Sequence, residues 1–196
     1  MVKKLDWIKL EKNESIYRDP NVPPASKEKI TDAIARSAYT YHHAYSGCTR
    51  AVLLALNAHL NLAPEEAFKY CFSACSTLPG GVARMGEVCG ALTGALLAIG
   101  LAFGPQKPQD IKSYDRALKI GAQLFTKFKE TFNHVRCQEI LEELFGKSPN
   151  FWNSQERIEW IKAGGLETCS LLCAETARMA AEIIIDIREK ENQTSS

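Results

Sequence analysis

The chain has 196 residues, 45% of them hydrophobic, which is enough to bury a real core and most simply makes one domain. Twenty-four basic residues against twenty-three acidic ones give a net charge of +1, without the basic excess of a protein that tracks phosphate backbones, so nucleic acid is not an expected partner. Seven cysteines, an odd number, argue against a disulfide framework and point to thiols, ligands or redox groups in a reducing compartment.

Residues 1–25 are charged and interrupted by Pro20, Pro23 and Pro24, and they read as an extended N-terminal arm. Asp6 and Lys9 break the apolar run that a signal peptide requires, so a cytoplasmic location is expected. From Ser26 onward apolar residues recur at three- and four-residue intervals with no sustained alternation, which predicts an all-α fold. The expectation is a single-domain bundle of about six to eight helices over residues 26–190, followed by a polar tail over 191–196.

The first helix is expected from an N-cap at Ser26 to near Tyr45, where Ser46 and Gly47 break it. Cys48 opens the second, which runs to about Leu60, and Pro64 stands at the start of a third that ends before Leu78-Pro79-Gly80-Gly81. Ala83 to about Leu101 is expected to form a central, glycine-rich helix. The apolar stretch from Val88 to Phe103 around it is shorter than the roughly 20 residues needed to cross a bilayer, so it reads as core and no membrane is expected. Ile111 to Phe132 is amphipathic, with Ala117, Leu118, Leu124, Phe125 and Phe128 as its expected core stripe. Cys137–Phe145 and Ser154–Ile161 read as short helices, and a last long one is expected from Glu167 to about Glu189.

Cys48, Cys89, Cys137 and Cys169 stand far apart in sequence, each beside an expected helix start or, for Cys89, inside the central helix. Four thiols gathered by a fold most often mean a metal or an iron–sulfur cluster. Helix starts offer free N–H groups and a positive dipole end that lower thiol pKa and offset the charge of a thiolate set. In the central helix Gly86, Gly90, Gly94 and Ala98 recur every four residues and so share a face. Glycines there cost about 1 kcal/mol each relative to alanine, so either a neighbouring helix or a bulky inorganic group must approach closely. Cys71 with Cys75, and Cys169 with Cys173, are four apart and share a face; Cys71 and Cys75 fit packing beside Phe68 and Phe72, and Cys173 is a substitute for Cys169 as a ligand if the helix starts later. His42, His43 and His134 precede Cys48 and Cys137 closely enough to contribute a ring nitrogen, although histidines so placed are more often capping or solvent-facing.

The segment Gly80-Gly81-Val82-Ala83-Arg84-Met85-Gly86-Glu87-Val88-Cys89-Gly90-Ala91-Leu92-Thr93-Gly94-Ala95 resembles the signature of the C_GCAxxG_C_C family of redox-active proteins. Cys48 with Ala51-Val52-Leu53 is similar to that family's first cysteine and its helix. Cys137-Gln138-Glu139-Ile140-Leu141 resembles its third, and Cys169 ahead of Ala177, Ala180 and Ala181 its last. The resemblance spans roughly residues 30–187. It implies redox activity, a similarity to the cluster-carrying domain of split-Soret cytochromes, an iron–sulfur cluster on Cys48, Cys89, Cys137 and Cys169, and a setting in anaerobic microbes. The chain departs from the family pattern at Pro79, where another glycine is common, and in having Cys71, Cys75 and Cys173 besides. Without a Cys-x-x-Cys-His it does not support covalent haem.

Three functions are compatible with these residues. The first is electron transfer by an iron–sulfur cluster, which needs a redox partner protein. The second is metal-free thiol–disulfide exchange with Cys48 as the low-pKa thiolate, against which stands the lack of a Cys-x-x-Cys. The third is a structural zinc site, against which stands the wide spacing of the sulfurs. The glycine face, with Trp152 or Trp160, can also serve a homodimer contact. No nucleophile–base pair or nucleotide loop marks a substrate-converting enzyme.

Overall fold

The computed structural model describes residues 26–194, so the expected N-terminal arm lies outside the described residues. Among the described residues the chain is all-α, with eight helices and no sheet. Ser26 accepts a hydrogen bond from the Lys29 amide and starts α1, Lys27–Tyr45. Gly47 in the left-handed conformation then launches α2, Cys48–Leu60. Pro64 caps α3, Glu65–Ala74, which ends in one 3₁₀ turn at Cys75–Thr77. The later helices are α4, Gly90–Phe103; α5, Ile111–Phe132; α6, Cys137–Phe145; α7, Ser154–Lys162; and α8, Gly165–Thr194. Among the described residues no helix is long and apolar enough to cross a membrane.

The thirty residues of α8 form the spine on which α1, α2, α4, α5 and α7 pack. Ala174, Ala177, Ala180 and Ala181 on α8 are buried and small, which lets these neighbours come close. Ion pairs rivet the margins: Lys27 to Asp186 and Arg178 to Asp32 join α1 to α8, while Lys127 with Glu182 and Arg116 with Glu191 join α5 to α8. The last of these reaches Glu191, where α8 continues to Thr194 through residues expected as a polar tail.

Two details differ from the sequence pattern. The central helix begins at Gly90, not Ala83, so Gly86 is not part of its glycine face. The cause is a left-handed turn: Gly80, Gly81, Val82, Ala83 and Arg84 all have φ between +51° and +74°. For Val82, Ala83 and Arg84 that conformation costs about 1–2 kcal/mol per residue. Amide hydrogen bonds from Ala83 to Thr77 O (2.7 Å), Gly86 to Gly80 O (3.1 Å) and Glu87 to Gly81 O (2.9 Å) hold it, as does Arg84, which donates to Phe151 O and lies over the Trp152 ring. In α5 the buried stripe is Ile120, Leu124, Phe128 and Phe132, spaced by four. Leu118, two residues before Ile120, points the opposite way and is 55% exposed, so it leaves the expected stripe.

Candidate functional site

The two segments that lead into the buried Cys89 and Cys137 are stitched to each other. Val88 and Arg136 form an isolated antiparallel bridge, the Cys89 amide donates to Val135 O (2.8 Å), and the Cys137 amide donates to Glu87 O (2.6 Å). Outside the bridge the Arg136 guanidinium grips both carboxylate oxygens of Glu87, at 2.9 and 3.2 Å. This staple fixes Cys89, the N-cap of α4, beside Cys137, the first residue of α6.

Cys48 is carried to the same place by the glycine face of α4. A Cβ on Gly90 would stand 3.1 Å from the Cys48 Cβ, and one on Gly94 would stand 2.5 Å from the Thr49 carbonyl oxygen. The first turn of α2 therefore fills the space that the glycines clear, the helix-packing alternative of the two that the glycine stripe left open. Thr49 is fully buried and bonds Thr93 across this contact at 3.1 Å, and Thr93 in turn donates to the Gly90 carbonyl.

From the far side α8 contributes Cys169 and Cys173, one turn apart and in its second and third turns rather than at its start. Cys89, Cys137 and Cys173 are buried, and Cys48 and Cys169 are partly so. The five thiols lie near enough that their charges act on one another. Burial first, and then the charge of Cys48, pushes the Cys89 thiol up to about 12, while the amides of Ala91 and Leu92 pull the other way. Burial likewise raises Cys137, with Cys89 and Cys48 adding to it, and raises Cys169, with Cys48, Cys137 and Cys89 adding to it. For Cys173 burial leads again, followed by its bond to Cys48.

Cys48 is the exception. The Cys173 thiol holds it well below the usual thiol value, His42 and the Gly80 amide help, and burial opposes them without prevailing. The left-handed turn thus aims a backbone N–H at the most acidic sulfur. His42 Nε2 is 3.6 Å from Cys48 Sγ, and these two atoms with Cys173 Sγ all lie within 4.8 Å of one another.

The four cysteines singled out in the sequence lie near enough for their charges to act on one another, and the sulfur that joins Cys48 and His42 within 4.8 Å is that of Cys173, kept there as a substitute for Cys169. His42 is 2% exposed and faces the thiols. His43 and His134 do not: His43 stacks on Tyr39 and pairs with Glu167, and His134 lies between Glu139 and Glu143. Arg84 and Arg136 are engaged by Phe151 with Trp152 and by Glu87. Cys71 and Cys75 stand apart, beside Arg50 and Phe72. The sequence signal that separates His42 from His43 is its place one turn before the end of α1, on the side turned to Ser170 of α8.

No curated protein and no solved structure matches the chain. The profile of one family, described as "Putative redox-active protein (C_GCAxxG_C_C)", matches residues 46–183, from just before Cys48 to beyond Cys173. The chain belongs to the C_GCAxxG_C_C family of redox-active proteins.

Proposed function

We propose that the protein transfers electrons through an iron–sulfur cluster held by Cys48, Cys89, Cys137 and Cys169, with Cys173 beside them. The observation that carries this reading is the convergence of five thiols, on three helix starts and one turn-spaced pair, into one largely buried spot. Soft thiolates in that number suit iron–sulfur clusters or zinc. The donor set fits a cationic group chemically, since buried thiols that raise one another's pKa lose their protons readily only where a metal compensates them.

When bound, the cluster would supply reversible one-electron transfer. The chain's own contribution is positioning and electrostatics. Cys48 and Cys137 begin α2 and α6, and Cys89 caps α4, so three positive helix ends face the sulfurs. The amides of Gly80, Ala91 and Leu92 oppose negative charge on Cys48 and Cys89. Leu92, whose amide faces Cys89, and Leu172 and Ala174, which flank Cys173 in the chain, are buried. All seven thiols are free, the state that a reducing, oxygen-poor cytoplasm maintains, and the electrons would pass to a separate redox protein or across a homodimer.

One observation favours a second reading, metal-free thiol–disulfide exchange: Cys48 is held low while Cys173 lies within 4.8 Å. The Cys48 thiolate would attack a substrate disulfide and release one thiolate, and Cys173 would then displace the second. That leaves a Cys48–Cys173 disulfide and a substrate reduced by two electrons. The deciding experiment is an ultraviolet–visible spectrum with iron, sulfide and zinc analysis on protein purified without oxygen, repeated for Cys89→Ser. Broad visible absorption with iron and sulfide, lost in the variant, is expected. Metal-free protein with titratable thiols would put dithiol exchange in front, and stoichiometric zinc without iron would make the centre structural.

A further inference from the structure

His42 is the one imidazole turned toward the thiols, and the proton on its ring can be placed. The Ser170 hydroxyl lies 2.8 Å from the Leu166 carbonyl oxygen, a group that accepts only, so the serine proton is spent there. The Ser170 oxygen also lies 2.8 Å from His42 Nδ1, and it must therefore accept from that nitrogen. Nδ1 carries the hydrogen, so in the neutral ring Nε2, 3.6 Å from Cys48 Sγ, keeps the lone pair that a metal would take, and it donates to that sulfur only in the doubly protonated ring. A buried ring with one nitrogen tied to a hydroxyl and the other open toward sulfurs has the arrangement of a metal-binding histidine with its orienting partner.

We infer that His42 Nε2 is a ligand of the metal in this site together with Cys48 and Cys173, so that the donor set mixes nitrogen with sulfur and Cys173, in place of Cys169, supplies the sulfur from α8. This rests on the reading of the cysteine cluster as a metal centre. Tetrahedral coordination with metal–sulfur near 2.3 Å and metal–nitrogen near 2.0 Å separates the two donor atoms by about 3.5 Å. His42 and Cys48 stand close to that separation, at 3.6 Å, and Cys173 Sγ is within 4.8 Å of both. Ser170 is fully buried, so its bond to Nδ1 is sheltered from water, and it locks the ring against rotation about its side-chain torsions. The family pattern is written in cysteines alone. Here the nitrogen donor arrives from α1, outside the matched residues, and from a helix that α8 holds in place through Ser170.

The test uses Co²⁺ alone, added without oxygen to the reduced full chain with ¹⁵N-labelled histidine. Thiolate-to-cobalt absorption in the near ultraviolet reports sulfur ligation, and proton NMR reports the ring. The expected result is one hyperfine-shifted, ¹⁵N-coupled exchangeable proton from His42 Nδ1–H, absent from His42→Ala, present in His43→Ala, and exchanging faster in Ser170→Ala. Cobalt affinity is expected to fall at least tenfold in His42→Ala and about tenfold in Ser170→Ala. The wild-type spectrum decides even where His42→Ala does not fold. Thiolate–cobalt absorption without the shifted proton would overturn the inference and leave the thiol-bound metal centre standing. No thiolate–cobalt absorption, with no iron in the purified protein, would remove the metal centre and this inference with it.

Discussion

Cys71 with Cys75 and Cys169 with Cys173 have the same spacing, yet only the second pair belongs to a site. At the end of α3, Cys75 in the 3₁₀ turn donates to Phe72 O, 3.2 Å away, and burial raises its pKa while Arg50 resists and Cys71 adds to it. On α8 the same spacing faces Cys48, Cys89 and Cys137, because α8 is the helix against which α1, α2 and α4 pack. Two sulfurs a turn apart are thus only a local fact. What turns a pair into a centre is the number of other elements that converge on it.

The sharpest way to break that comparison is to remove sulfurs one at a time from the site that α8 joins and from the Cys71/Cys75 pair. Cys173→Ser and Cys48→Ser are expected to lower bound metal at least tenfold, while Cys71→Ser and Cys75→Ser leave iron, sulfide and visible absorbance at wild-type levels. Metal analysis on the four variants, purified side by side without oxygen, decides it. A matching loss in Cys71→Ser or Cys75→Ser would place the α3 pair in the centre after all.

Next in size is the contact that delivers Cys48. Gly94→Ala puts a Cβ 2.5 Å from the Thr49 carbonyl oxygen, a backbone atom that cannot rotate away. Forcing α2 off α4 is expected to destabilise the metal-free protein by about 2 kcal/mol, net of the helix propensity that alanine gains, and to weaken metal binding as Cys48 moves. Urea unfolding reads the first effect and cobalt titration the second. An unchanged urea midpoint would mean that the glycine face is not a tight seat.

Much of this arrangement was legible in the residues. The ranges of α1, α2, α5 and α6 follow from Ser26, the Ser46-Gly47 break and the apolar periodicity, which act locally. The places of Cys48 and Cys137 at expected helix starts, and of Cys89 in the family signature, anticipated that these thiols come near one another; that Cys89 caps α4 instead of lying inside it did not show. What did not show is non-local or locally unfavourable. No propensity predicts Val82, Ala83 and Arg84 in a left-handed turn, since hydrogen bonds to residues 77–79 and the Arg84 contacts with Phe151 and Trp152 override their preference. Nor does periodicity reveal that Val88 pairs with Arg136, a contact 48 positions apart that sets Cys89 against Cys137. The exchange of emphasis between Cys169 and Cys173 has the same origin: α8 starts at Gly165, and its rotation against α2, not the distance from its end, selects the sulfur that meets Cys48.

The thiol site also has a pH signature. The folded-state pKa values of Cys89, Cys137, Cys169 and Cys173 lie above the unfolded thiol value of about 8.5, so their contribution to stability is complete below that pH and drains away as pH rises. For Cys89 the loss continues toward about 12. Cys48 has the opposite sign, since its lowered value stabilises above the ordinary thiol pKa and is lost as pH falls through the folded one. Four groups against one make alkaline destabilisation the dominant effect in the reduced, metal-free protein. Replacing Cys89 by serine is expected to reduce the slope of stability against pH between about 9 and 11 by about 1.4 kcal/mol per pH unit. Urea midpoints across that range measure it.

The smallest effect compares two glycines of one helix. Gly94 faces α2 and has no room, whereas Gly100, six residues later, has nothing within 4 Å of where a Cβ would stand. It opens instead on an apolar groove of about 650 Å³ between α4 and α5, lined by Leu96, Ile99, Tyr114, Leu118 and Phe125. With no close approach to preserve, Gly100→Ala relieves only the conformational freedom of glycine in a helix, and it is expected to stabilise the protein by about 0.8 kcal/mol with metal binding unchanged. The opposite signs of Gly94→Ala and Gly100→Ala in the same urea series would separate a glycine kept for contact from one that the bundle does not use. A destabilising Gly100→Ala would mean instead that the groove is filled in solution.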